Sequence, residues 1–465
     1  MLIIVLYVEL EVVKMPYAVD LFCGAGGCSE GLIQAGFDII FSSDISEMAE
    51  ATYRNRHKQL GLIQGYNTWF ERSDVRELTG NLIWERIRNL ECFEEENRDI
   101  PTDIDLIMGG PCCQGFSRAG KRDKADPRNM LFGEYVRVIN EVKPKYVVLE
   151  NVEGFMDMQF VGYKGIDLYD ECGNLREEGP FYADGSVTPE ILKAELARVG
   201  YHSLVPKILN AADYGVPQRR NRVIFIAYRN GQKIPAYPEP TTKKHLTLKD
   251  AIGDCITDQA IKSRVNTNKS PYQIDSQNGR TPDVNGNTVC TAGALANMEL
   301  PNISKIVAER FSLFGQGESG TNLRKRIETE GIDISNKKHL VALCADEFKM
   351  SQRAVVSLFK RAKANSDQID TLLTKKNIRQ RWNENEPAAT ILSIPDDYIS
   401  PWESRTFSVR EMARCQSFDD SFVFLGKRTT GGKLRRVEVP QYTQVGNAVP
   451  PLLAKAIVEQ IKKVL

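Results

Sequence analysis

From Tyr17 the chain reads YAVDLF, CGAGG, CSEGLIQAG and FDIIFSSD: an apolar run, a glycine-rich turn, a helical stretch and a second apolar run. Two short apolar runs joined through a helix predict a parallel βαβ unit, because parallel strands need a crossover and a helix supplies it. Gly24, Gly26 and Gly27 let backbone amides approach a ligand where side chains would block it. Asp44 ends the second run about twenty residues on, where a doubly wound sheet places an acid on a ribose. Taken alone, a glycine turn followed by an acid serves equally well as a purely structural unit.

Similar apolar runs recur at DLIMGG, YVVLEN and RVIFIA, with helix-patterned stretches such as MLFGEYVRVINEVK between some of them. The prediction is an α/β fold with a mostly parallel sheet. At 465 residues the chain exceeds what one core usually holds, and the proline-rich PAYPEPTTKKH after Tyr228 marks a boundary. From there to about Arg381, polar loops alternate with a few amphipathic stretches. A helical pattern returns at SVREMARCQSF, and QVGNAVPPLLAKAIVEQIKKVL, with Pro-Pro at a helix start, predicts a docked C-terminal helix.

Composition removes several function classes. The ten cysteines are scattered without CxxC or zinc-site spacing, and the four histidines (His57, His202, His245, His339) form no metal pair, so no metal is expected. Formal net charge is zero, but basic side chains cluster at Arg118, Lys121, Arg122, Lys124 and Arg128, at Arg219, Arg220 and Arg222, and at Lys375, Lys376, Arg379 and Arg381. Nucleic-acid recognition depends on such local clusters rather than on the total. The leading MLIIVLYVELEVVK carries two glutamates, lacks a basic start and is too short to span a bilayer, so it is not read as targeting. Met15, immediately before the first clear strand, is an alternative to Met1 as the start of translation, and the sequence leaves the two open.

Three further constellations carry chemistry. DLIMGG ends in PCCQGFS, which puts Cys112 and Cys113 at the carboxyl edge of the sheet, followed by a basic stretch whose charge would lower a thiol pKa. Glu150-Asn151-Val152 directly follows the run YVVL, at the same edge. Gln218 to Arg222, QRRNR, precedes VIFIA and offers rigid forked donors for a planar base or a phosphate.

Together, DLFCGAGG, GGPCCQGFS, DPRNMLF, ENV, QRRNR, SVREMARCQSF and QVGNAVPP resemble, in order, the motifs of the cytosine-5 DNA methyltransferase family. The resemblance runs from about Tyr17 to the C-terminus and is thin between roughly His245 and Arg379. It implies a Rossmann-like methyltransferase fold that uses S-adenosylmethionine. Phe22 and the glycine turn would hold the methionine part, Asp44 the ribose and Asp74 the adenine amino group. Ile45 and Val75 would sandwich the adenine, with Pro111, Leu131, Asn447 and Val449 nearby. The nucleophile would be Cys113, just before the motif glutamine; Cys112 stands where the family usually has proline.

The reaction explains these residue types. Cytosine carbon 5 is a poor nucleophile, so a thiolate first adds to carbon 6. Glu150 would serve N3, which requires a carboxyl raised by burial. Arg222 would bind O2, Arg220 would brace the thiol and nearby phosphates, and Asn151 would orient the loop. The reacting atoms are out of reach inside a stacked duplex, so the base must flip. The loop from Gln114 to about Pro127 would close over it, bringing Ser117, Arg118 and Lys121 onto the DNA.

The resemblance also sets the expected organisation and partners. A catalytic and cofactor-binding domain, 15–240 plus 440–465, would face a smaller target-recognition domain and connecting segment, 241–439. Its base-reading residues are not legible; Arg324 to Arg326 and Lys360 to Lys363 are equally well read as solvated helix faces. The expected partner is double-stranded DNA, met by a monomer in a bacterial or phage-infected cytoplasm without a membrane, with a cognate restriction endonuclease acting separately. Three rival readings are a tRNA cytosine-5 methyltransferase, a non-catalytic DNA-binding regulator and a nicotinamide-dependent oxidoreductase. QRRNR and the long segment after Tyr228 oppose the first, intact Cys113 and Glu150 the second, and every motif beyond the glycine turn the third.

Overall fold

The computed structural model of the chain describes residues 15–111, 130–170, 172–265, 268–375, 378–432, 434 and 437–465. Cys112, Cys113, Gln114, Ser117, Arg118 and Lys121, and the question of the start at Met15, lie outside them. One eight-stranded sheet organises the rest. Strands β1 (Tyr17–Leu21), β2 (Asp38–Asp44), β3 (Trp69–Arg72), β4 (Leu106–Gly109) and β5 (Tyr146–Asn151) pair in parallel in the order β3-β2-β1-β4-β5. A small hairpin of β6 (Leu168–Tyr169) and β7 (Leu175–Glu177) stands apart. Strand β10 (Asn221–Arg229) runs antiparallel to β5 and pairs with β8 (Tyr201–Ser203) and β9 (Lys207–Asn210). The sheet is therefore parallel through β1 to β5, and RVIFIA closes it in the opposite direction.

Side chains alternate across this sheet with the strand period of two. Val19, Leu21, Ile107, Val147, Leu149, Val223 and Phe225 enter one core, shared with helices Gly80–Arg88, Leu131–Val142 and Thr188–Arg198. Ala18, Leu106, Met108, Tyr146, Val148, Ile224 and Ile226 enter a core on the opposite face. Helices Gly27–Gln34 and Pro451–Lys462 cover that second face. A parallel sheet buried on both faces needs such near-continuous apolar strands. The C-terminal helix docks closely because Gly31 opposes it: a Cβ there would lie 2.5 Å from Ala454 Cβ.

Between Leu248 and Leu373 the described residues form eight short α-helices, more than the sequence suggested. Many begin on a side-chain cap, including Thr247, Ser270, Ser304, Ser319, Ser351 and Asn365. Such caps satisfy orphan backbone donors in helices too brief to show a clear apolar period. Two cores divide this part of the chain. Leu248, Tyr272, Trp382, Ile391, Phe407, Met412 and Tyr442 cluster with Ala25 of the glycine turn. Phe311, Leu323, Leu340, Val355, Phe359 and Leu372 form another cluster with Ile399. No helix among the described residues is long and apolar enough to cross a membrane.

Candidate active site

Strand order reverses between β1 and β4, so their carboxyl ends open a crevice, the place where open α/β sheets bind ligands. The glycine turn lines it. Phe22 and Gly24 both take positive φ, 56° and 53°, and a Cβ on Gly24 would meet nothing within 4 Å. Gly26 has φ 104° and caps helix Gly27–Gln34. Gly27 is glycine for a different reason: a Cβ there would stand 2.3 Å from the Val449 carbonyl. The C-terminal QVGNAVPP segment thus packs directly on the turn, with Val449 buried and Asn447 exposed at the end of its helix.

Asp44, at the end of β2, braces the turn. Its carboxylate accepts from the Gly24 N–H at 2.9 Å and from the Ser46 N–H at 2.8 Å, and burial raises its pKa. Ile45 beside it is 66% exposed, an uncovered apolar side chain at the crevice. Asp74 follows β3 and accepts from Arg76 Nε at 2.9 Å, which holds its carboxyl below the usual range. Val75 is buried, and its carbonyl accepts from Arg137 Nη2 at 2.7 Å. Leu131 opens helix Leu131–Val142 and packs at the margin of the core.

Across the crevice β5 delivers Glu150 and Asn151, both buried. Asn151 Nδ2 donates to the Pro111 carbonyl at 3.0 Å, and its Oδ1 accepts from the Val152 N–H at 2.9 Å. The end of β4, from which the chain proceeds to Cys113, is thereby tied to the end of β5. Arg222 Nε lies 2.7 Å from Glu150 Oε1. The pair follows from register, since β10 runs antiparallel to β5 with Ile224 opposite Glu150, placing Arg222 just beyond it. Burial pushes the Glu150 carboxyl up, while Arg222 and Arg220 pull it back.

The three arginines of QRRNR do different things. Arg219 is half exposed and paired with Glu386. Arg220 is buried and donates to the carbonyls of Ile391 at 3.1 Å and Gly446 at 2.8 Å. That arrangement makes Arg220 a tie between two distant segments rather than a surface cation. Arg222 alone reaches the Glu150 carboxylate.

Sequence reasoning missed the segment Ala388–Ile391. The Arg219 N–H donates to the Ala388 carbonyl at 2.8 Å, and Gln218 Oε1 accepts from the Ile391 N–H at 2.8 Å. AATI has no distinctive chemistry, and its partners are about 170 residues away, so no local pattern could announce it. Arg324 and Arg326, considered as DNA contacts, pair with Asp370 and Glu318, and Arg381 is buried on backbone carbonyls.

A reversed parallel sheet with a glycine turn and a buried acid–guanidinium pair at its carboxyl edge defines the class: an α/β fold of the doubly wound kind, in which ligands bind at the switch point. The chain belongs to the C-5 cytosine-specific DNA methylase family, whose model matches residues 17–164 and 181–463. It is 30% identical to the type II methyltransferase M.DdeI of Desulfomicrobium norvegicum, covering 95% of this chain and 88% of that protein. It is also 30% identical to the type II methyltransferase M.XorII of Xanthomonas oryzae pv. oryzae, covering 97% and 85%. A solved structure from E. coli, described as a DNA modification methyltransferase encoded within a prophage, superposes with a TM-score of 0.60 at 21% identity, covering 97% and 99% of the two chains. That likeness supports the fold.

Proposed function

We propose that this chain is the methyltransferase of a type II restriction-modification system, transferring a methyl group from S-adenosylmethionine to carbon 5 of a flipped cytosine at a specific duplex DNA site. The observation that carries this reading is the Glu150–Arg222 pair. A carboxyl and a guanidinium in contact, buried at the carboxyl edge, match N3 and O2, the neighbouring polar atoms on one edge of cytosine.

The crevice fits the cofactor. Open space at Gly24, the uncovered side chain of Ile45 and the acid Asp44 beside the turn suit a ligand with a carboxylate, a ribose and a flat ring. Phe22, Gly24, Gly26, Gly27, Asp44, Ile45, Asp74, Val75, Pro111, Leu131, Asn447 and Val449 would surround it. When bound, S-adenosylmethionine supplies the electrophilic methyl group that carbon 5 takes.

The protein's own residues prepare carbon 5. The Cys113 thiolate forms a bond to carbon 6, pushing an electron pair toward carbon 5. In this reading Glu150 donates to N3 in its protonated form, which burial favours and Arg222 and Arg220 oppose, and Arg222 donates to O2. After methylation a base removes the carbon 5 proton, the carbon 6–sulfur bond breaks, and the thiolate leaves. Asn151 and Arg220 are positioning residues: the first fixes the end of β4 and the second holds Ile391 and Gly446 beside the crevice. Gln114, Ser117, Arg118 and Lys121 would meet the DNA around the flipped base.

Residues 15–240 and 440–465 would form the catalytic domain and 241–439 the target-recognition domain and its connections. Methylation would protect host DNA from a separate nuclease, and the enzyme would act as a cytoplasmic monomer. Bisulfite sequencing of plasmid from cells expressing wild type, Cys113→Ser and Cys112→Ser tests this reading. Methylated cytosines in one short context, lost with Cys113→Ser and kept with Cys112→Ser, are expected. Absence of methylation above background with soluble wild-type protein would overturn the assignment.

A further inference from the structure

Helix Lys338–Phe348 ends on Lys349, which takes φ 54°, and Ser351 caps the next helix, Gln352–Lys360, by accepting from the Ala354 N–H. The connection is three residues long, the length that lets two helices cross and pack as a helix-turn-helix. A shared core seals them: Val341, Cys344, Val355 and Phe359 are buried, and the Phe348 and Phe359 rings lie 6.4 Å apart. Burial of Val355 and Phe359 at helical spacing leaves the opposite side of the second helix outward, with Arg353 and Lys360 exposed on it, while Gln352 is exposed as the first residue of the helix.

The second helix and the residues just after it carry only basic charges, although Lys360 pairs with Asp333 at 3.0 Å. From Gln352 to Lys363 the chain carries Arg353, Lys360, Arg361 and Lys363 and no acid. Arg353 stands in the first turn of its helix, where a cation is unfavourable to the helix dipole, and has no ion-pair partner among the described residues. This unit also connects to the crevice. Its core includes Ile399 of strand Tyr398–Ile399, Tyr398 Oη donates to the Thr390 carbonyl at 2.8 Å, and Thr390 Oγ1 donates to the Arg219 carbonyl at 2.8 Å.

We propose that residues 338–360 form a helix-turn-helix whose second helix enters the major groove of the target duplex, with Gln352 and Arg353 reading base edges and Arg361 and Lys363 holding phosphates. The inference rests on the reading of the chain as a duplex DNA methyltransferase. Exposed Arg and Gln at the start of such a helix suit the paired acceptors of guanine and the donor–acceptor edge of adenine. The exposed cations Arg361 and Lys363 suit the phosphate backbone beside them.

Methylation profiles of a plasmid, with steady-state kinetics on duplexes that vary one base at a time, test it. Arg353→Ala and Gln352→Ala should each relax the recognised context at one position and lower kcat/KM on the cognate duplex by roughly 5- to 150-fold. Arg361→Ala with Lys363→Ala should weaken binding to all duplexes alike and lower the salt dependence of log Kd by about one per contact. Thermal melts establish that these exposed substitutions keep the fold, and Arg353→Lys repeats the test with charge preserved. A wild-type context kept unchanged by Arg353→Ala and Gln352→Ala overturns the helix assignment alone. Wild-type protein that methylates no duplex overturns the enzyme reading, and this inference with it.

Discussion

Arg222 Nε and Glu150 Oε1 lie 2.7 Å apart, with side chains only 10% and 11% exposed, so neither charge is fully served by water. Burial holds the Glu150 proton and Arg222 opposes that effect. If the protonated carboxyl serves N3, activity falls as pH rises through the Glu150 pKa. Removing the guanidinium in Arg222→Met raises that pKa further, so the alkaline limb of kcat/KM against pH should move to higher pH. The rate at its optimum should fall about 100-fold through loss of the O2 donor. A limb that moved to lower pH would contradict the assignment.

Asn151→Ala removes the bond to the Pro111 carbonyl and the one from the Val152 N–H. Small misplacements of a reacting group are costly, so kcat should fall by about 10- to 100-fold. Stability should fall by only about 1–3 kcal/mol. Urea unfolding beside single-turnover kinetics separates the two effects; equal loss in both would make Asn151 merely structural.

Gly24 and Gly27 should respond differently to alanine. Gly24→Ala places a methyl in open space with φ 53°, costing about 1–2 kcal/mol of stability and weakening cofactor binding measured by calorimetry. Gly27→Ala drives a methyl into the Val449 carbonyl, and the C-terminal segment must shift. Its stability loss should be the larger of the two, about 3 kcal/mol, read as a drop in Tm.

Asp20 is buried in β1 and accepts from Ser29 Oγ at 2.5 Å. Burial raises its pKa from 3.8 to about 7. The folded chain therefore keeps a proton that the unfolded chain releases, so stability falls as pH rises from about 4 to about 7 and levels off above, a change on the order of 4 kcal/mol. Asp20→Asn should flatten that slope in thermal melts. An unchanged slope would assign the pH dependence to other groups.

The parallel strands, the glycine turn and the C-terminal helix were legible because each is a local signal: an apolar run, a φ-permissive residue, a Pro-Pro start. Glu150 and Arg222 were legible as motif members, and their contact was not, because it depends on β10 running antiparallel to β5. The charge of Arg220 is visible in sequence, whereas its burial on the carbonyls of Ile391 and Gly446 is not.

Continuous apolar runs and glycines at turn positions are written along the chain, and they determined an α/β sheet whose first strand leads through a glycine turn into a helix. Pairings across more than a hundred residues are of another kind. Ala388–Ile391 beside QRRNR and Val449 on Gly27 arise when distant segments bury their surfaces together. Tertiary packing alone decided them, since no short window of sequence contains both partners of a contact.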